Sequence, residues 1–225
     1  MSKLTKKWKG VERDVNIGAG NVALPGHLCV PDGARGIVVF VHGSGSSRLS
    51  PRNQYVANAL NNAGFATLLF DLLTKAEESE DVMTAKLRFD IELLTERVIE
   101  VTMWLKQDAD VADLRIGYFG ASTGAAAAVV AATQLPESVA AIVSRGGRPD
   151  LAEVLLPTVT TPILLIVGEK DQTIISLNHH ALQNLPAQTE KAMSIVPGAT
   201  HLFEEPGALE IVASLAGKWF EAHLY

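Results

Sequence analysis

The 225 residues are 48% hydrophobic, enough to bury a core, and are expected to form one domain over residues 1–225. A formal charge of -6 argues against a nucleic-acid partner, which calls for a basic face, and no stretch approaches a continuous apolar membrane span. The only cysteine, Cys29, excludes an internal disulfide and reads as a small buried apolar residue.

The start carries Lys3, Lys6, Lys7 and Lys9 with no apolar stretch after them, so no signal peptide is expected and the cytoplasm is the expected location. Alternation at Val11, Val15 and Ile17, and again from Val22 to Val30, predicts two antiparallel strands. Ile37–Val41 is a continuous apolar run, as in a strand covered on both faces. Ser50-Pro51 opens a helix that stops at Gly64, and Phe65–Phe70 is the next strand. Glu77, Glu78, Glu80 and Asp81 read as a solvated loop. One long amphipathic helix is expected from Thr84 to Lys106, with Leu87, Ile91, Leu94, Val98, Val101 and Leu105 on its apolar face.

Strands follow at Arg115–Phe119, Val139–Val143, Pro162–Val167 and Ala192–Val196. Between them come helices over Ala125–Ala132, Pro149–Leu155 and Ile174–Leu185, with a closing helix from Pro206 to His223. This alternation predicts an α/β fold with a mostly parallel sheet, about eight strands, flanking helices and no large cap. Chemistry in such sheets gathers beyond the carboxyl ends of the strands.

One pentapeptide sits at such an end. Gly120-Ala121-Ser122-Thr123-Gly124 follows the Arg115–Phe119 strand and precedes an alanine-rich helix. That order fits a nucleophile elbow, where a strained turn exposes a serine and glycines two residues either side remove collisions. The pattern alone arises by chance in roughly one chain of this length in fifteen, so its placement carries the weight.

Ser122 needs a base, because a free hydroxyl is a weak nucleophile. His201 follows the last strand, where the order serine, acid, histidine puts the base. His42 precedes Ser122, the neighbours His179 and His180 cannot face one site from a helix, and His27 and His223 read as surface or edge residues. Asp171, after the Pro162–Val167 strand, is the expected acid; capping of the next helix is its plain alternative, and Asp150 and Glu169 are the other acids in place. The glycine-rich His42–Ser47 loop offers the Ser44 N–H, beside that of Thr123, to an oxyanion. A phosphate loop is the competing reading of this segment, but the Lys-Ser/Thr ending is missing. Arg145 and Arg148, with Arg48, suggest recognition of a substrate carboxylate or phosphate, against a bland alternative of loop-tying ion pairs.

HGSGSSR, FDLLT, GYFGASTGAAAA, SRGGRPDLA, LLIVGEKD and VPGATHLFEEPGALE together resemble the dienelactone-hydrolase-like branch of the α/β-hydrolases, from about residue 20 to the end. The resemblance implies a Ser122, Asp171 and His201 triad and hydrolysis of small carboxylic esters or lactones through an acyl-enzyme. Nothing in the sequence requires a metal, and no cofactor is expected. Dienelactone hydrolases proper use cysteine as nucleophile, so the serine here favours a simple carboxylesterase. Similar sequences include some associated with a fused phosphoribosyltransferase domain, which a chain of this length is not expected to contain. The expected partner is a small ester or lactone, with no nucleic acid and no membrane, and a homodimer is the assembly considered. Thioester cleavage or acyl transfer with the same triad, and a non-catalytic ligand-binding relative, are the alternatives.

Overall fold

A computed structural model describes residues 5–225, so the basic start read at Lys3 lies partly outside the described residues. Eight strands form one sheet: β1 (Gly10–Ala19), β2 (Val22–Pro31), β3 (Ile37–Val41), β4 (Ala66–Phe70), β5 (Ile116–Ala121), β6 (Val139–Arg145), β7 (Ile163–Gly168) and β8 (Lys191–Val196). Their order is β1-β2-β4-β3-β5-β6-β7-β8. The leading hairpin pairs antiparallel and joins β4 antiparallel; all pairings from β4 through β8 are parallel.

The helices are α1 (Pro51–Asn62), α2 (Lys75–Thr84), α3 (Ile91–Leu105), α4 (Thr123–Gln134), α5 (Gln172–Asn184) and α6 (Ala208–Leu224), with 3-10 turns at Leu87–Phe89 and Pro149–Thr158. Successive strand residues point to opposite faces, so each strand feeds two cores. Val39, Leu68, Tyr118 and Leu165 pack with α3 and α4 on one face; Val38, Phe40, Phe119 and Ile166 pack with α1 and α6 on the other. That double cover explains why β3, β4, β5 and β7 are buried along their whole length. Among the described residues no helix is long and apolar enough to cross a membrane.

Two expectations need correction. The acidic Glu77–Asp81 segment is helix α2, not a loop. Thr74 caps it, accepting from the Glu77 N–H at 3.2 Å while the Glu77 carboxylate accepts from the Thr74 N–H at 2.7 Å. The carboxylates that suggested solvent are also used internally. Glu77 pairs with Arg97 at 2.9 Å, and Asp81 accepts from the Leu87 and Arg88 N–H groups and from Arg88 Nε.

The long helix expected over Thr84–Lys106 is broken. Ala85 adopts a left-handed φ of 53° that ends α2, and Asp90 caps a fresh start, accepting from the Leu93 N–H at 3.0 Å. Leu87, counted on the apolar face, falls in the 3-10 turn between them.

Candidate active site

The elbow begins where β5 ends. Ser122 has φ 49° and ψ −123°, a conformation that costs roughly 1–3 kcal/mol in a non-glycine residue. Its surroundings impose it: the Ser122 N–H donates to the Arg145 carbonyl, and the Ser122 carbonyl accepts from the Arg148 and Ala125 N–H groups. The two motif glycines are required by close approach. A Cβ at Gly124 would lie 2.2 Å from the Val41 carbonyl oxygen, and one at Gly120 would lie 2.5 Å from Ala125 Cα. Fully buried alanines from Ala125 to Ala128 bring α4 down against the sheet behind the elbow.

His201 and Asp171 meet at this end of the sheet. His201 Nδ1 lies 2.6 Å from Asp171 Oδ2. Asp171 stands at the cap position of α5, yet its side chain makes no cap hydrogen bond, so the plain alternative for this residue does not hold. The remaining acids are committed elsewhere: Glu169 accepts from the Gly198 N–H at 2.7 Å, and Asp150 is gripped by Arg148 at 2.7 Å. The Glu169 contact ties the turn after β7 to the loop that carries His201.

The segment after β6 touches both sides of the site. Gly146, next to the Arg145 carbonyl that holds Ser122, is so placed that a Cβ there would lie 3.5 Å from His201 Cε1. Among the described residues no hydrogen bond joins Ser122 Oγ to the imidazole. Such contacts are often long before substrate binds.

The glycine-rich loop is pressed onto the elbow. A Cβ at Gly43 would fall 2.8 Å from Ser122 Cβ, and the Ser44 N–H donates to Thr123 Oγ1 at 3.0 Å. One of the two expected oxyanion donors therefore already has a partner. The Thr123 N–H opens α4, where the first N–H groups have no intrahelical acceptor. His42 is buried and braces the loop: its Nδ1–H donates to the Gly43 carbonyl at 3.0 Å, and its Nε2 accepts from the Leu72 N–H at 3.0 Å. Burial holds its pKa below the usual histidine value. Asp71 closes the far end, accepting from the Arg48 N–H at 2.7 Å and pairing with the Arg48 guanidinium. Composition could not reveal this pair of braces, since His42 and Asp71 look like ordinary loop residues in the sequence.

The arginine expectation is corrected. Arg145 is 7% exposed, and its Nη2 donates to Asn53 Oδ1 at 3.3 Å, so it presents no face to a substrate. Burial, with Arg52 nearby, lowers its pKa to about 10, which leaves it charged at neutral pH. Arg148 is spent on Asp150, the loop-tying alternative. Both were inferred from their position at a strand end, and neither burial nor pairing is visible there.

A cavity of about 60 Å³ opens beside the elbow, lined by Ser44, Thr123, Leu72, Leu73 and Val82 among others.

The dienelactone hydrolase family matches residues 24–223. The chain is 56% identical over 213 residues to a Mycobacterium tuberculosis protein whose provisional name is phosphoribosyl transferase; the match covers 95% of this chain and 47% of that protein. The chain thus spans about half the length of that curated relative. It is also 56% identical to a dienelactone hydrolase from Anabaena variabilis, with a TM-score of 0.92 covering 96% of this chain and 99% of the other. Est1E from Butyrivibrio proteoclasticus shares the fold at 15% identity, with a TM-score of 0.77 covering 93% and 98%.

Proposed function

This chain belongs to the dienelactone hydrolase family, and we propose that it is a serine hydrolase of small carboxylic esters or lactones with Ser122, His201 and Asp171 as its triad. The observation that carries the reading is the 2.6 Å contact between His201 and Asp171 at the same sheet end as a strained Ser122. Asp171 holds the imidazole with its proton on Nδ1, leaving Nε2 to accept the Ser122 proton. Ser122 Oγ attacks the carbonyl carbon, and the acyl-enzyme forms as His201 returns that proton to the leaving alcohol. Water, deprotonated in turn by His201, releases the acid.

The developing oxyanion is held by the Thr123 N–H and by the Ser44 N–H, which exchanges Thr123 Oγ1 for the stronger charged acceptor. The transferase in the mycobacterial relative's name is not carried over, because the residues here form an elbow and an acid–imidazole pair.

Ser122→Ala should lower turnover of a short p-nitrophenyl ester by about 10⁴-fold or more with the thermal melt retained. A fluorophosphonate should label Ser122, mapped by peptide mass. Undiminished turnover in the variant would remove the proposal.

A further inference from the structure

A second cluster of reactive side chains lies on the leading hairpin. β1 and β2 pair so that Glu12 stands opposite Cys29 and Asp14 opposite His27. Alternation puts His27 and Cys29 on one face of β2, with Glu12 and Asp14 on the same face of β1. That face is turned away from the core that takes Ile17, Leu24 and Leu28. It looks instead into a cavity of about 400 Å³ whose other wall includes Gln54, Asn58 and Asn61 of α1.

Glu12, His27 and Cys29 each offer one ligand atom, and these atoms lie within 4.8 Å of one another. We propose that Glu12, His27 and Cys29 form a binding site for a divalent zinc ion, separate from the hydrolase site, with a water from the cavity as fourth ligand. The donor set suits zinc, which takes thiolate, imidazole and carboxylate ligands at about 2.0–2.3 Å in tetrahedral geometry. Ligand atoms in such a site stand roughly 3.5 Å apart, so no pair closes by more than about 1.3 Å on binding. One thiolate and one carboxylate balance the charge of the ion.

The arrangement around His27 is the one a metal ligand needs. Its Nδ1 contacts Asp14 Oδ1 at 2.9 Å, which fixes the ring and leaves Nε2 directed at Glu12 Oε1, 3.2 Å away. A carboxylate on the far nitrogen of a ligating histidine is the usual orienting partner. Lys6 holds the other Glu12 oxygen at 2.5 Å and is itself half-exposed, so it can swing into solvent as the ion arrives. Arg48, which lines this cavity, is already paired with Asp71.

A nucleophilic role for Cys29 is disfavoured, since burial pushes its thiol up to about 12. A metal displaces that proton. The sequence carries the signal faintly, as His27-x-Cys29 on one strand.

Cys29 is the sole cysteine, so any thiolate signature reports this site. Cobalt(II) added to the full chain should give a thiolate-to-metal charge-transfer band saturating at one equivalent. Zinc affinity, measured by competition with a chromophoric chelator, should fall at least about 10-fold in Cys29→Ser and in His27→Gln, and about 10-fold in Asp14→Asn. Unchanged ester turnover in Cys29→Ser shows that the variant folds. Absence of the cobalt band from the native chain, or equal zinc affinity in native, Cys29→Ser and His27→Gln proteins, overturns the site.

Discussion

Asp171 occupies the cap position of α5 but leaves the helix uncapped, because its carboxylate reaches His201 Nδ1 at 2.6 Å, thirty positions further along the chain. A cap on α5 would contribute about 1 kcal/mol, and the side chain forgoes it. Asp171→Asn keeps the size but places a donor or a weaker acceptor against Nδ1, so the imidazole loses its orienting charge. We expect kcat for a short ester to fall about 10³–10⁴-fold with little change in melting temperature. A fall under tenfold would assign the orienting role to another acid.

With Ser122 as the proposed nucleophile, its strain sets function against stability. Glycine adopts φ 49° without the cost a serine bears there, although it loses more entropy on folding. Ser122→Gly should abolish ester turnover and yet stabilise the fold by about 1 kcal/mol, raising the melting temperature by roughly 2–4 °C. A lower melting temperature would mean that the elbow conformation stores no such strain.

The glycine-rich loop depends on Asp71, which grips both the backbone and the guanidinium of Arg48. Asp71→Ala leaves an N–H and a guanidinium without their acceptor and frees the loop that carries Ser44. Stability should drop by about 1–3 kcal/mol, and kcat/KM should drop about tenfold through misplacement of the proposed oxyanion donor. A stability loss with unchanged kcat/KM would show that the loop needs no such anchor.

His42 makes stability pH-dependent in a definite direction. In the fold it is buried with a lowered pKa, while in the unfolded chain it returns to about 6.5. The unfolded state therefore binds more protons below about 6.5. This contribution is intact above that pH and is lost as pH falls from there through the lowered folded value. Thermal melts between pH 8 and pH 5 should show a shallower acid-side decline in His42→Gln, whose amide can still accept from the Leu72 N–H. Parallel declines in both proteins would locate the acid sensitivity elsewhere.

Local patterns marked most of the sheet and the residues proposed as its site. The unbroken apolar run Ile37–Val41 needed cover on both faces, and glycines either side of Ser122 needed a backbone approach that no Cβ permits. Order along the chain was enough to nominate Asp171 and His201. Tertiary contacts decided the rest, since a charged side chain is read by its partner and the partner is remote in sequence. Glu77 and Asp81 looked like solvated loop residues, but capping and pairing with Arg97 and Arg88 turned them into helix. Arg145 looked ready for a substrate until burial against α1 withdrew it, and Glu12 met His27 and Cys29 only through strand register. Covalent spacing limits what one segment can become, whereas the environment that sets charge, burial and reactivity exists only after distant segments close around it.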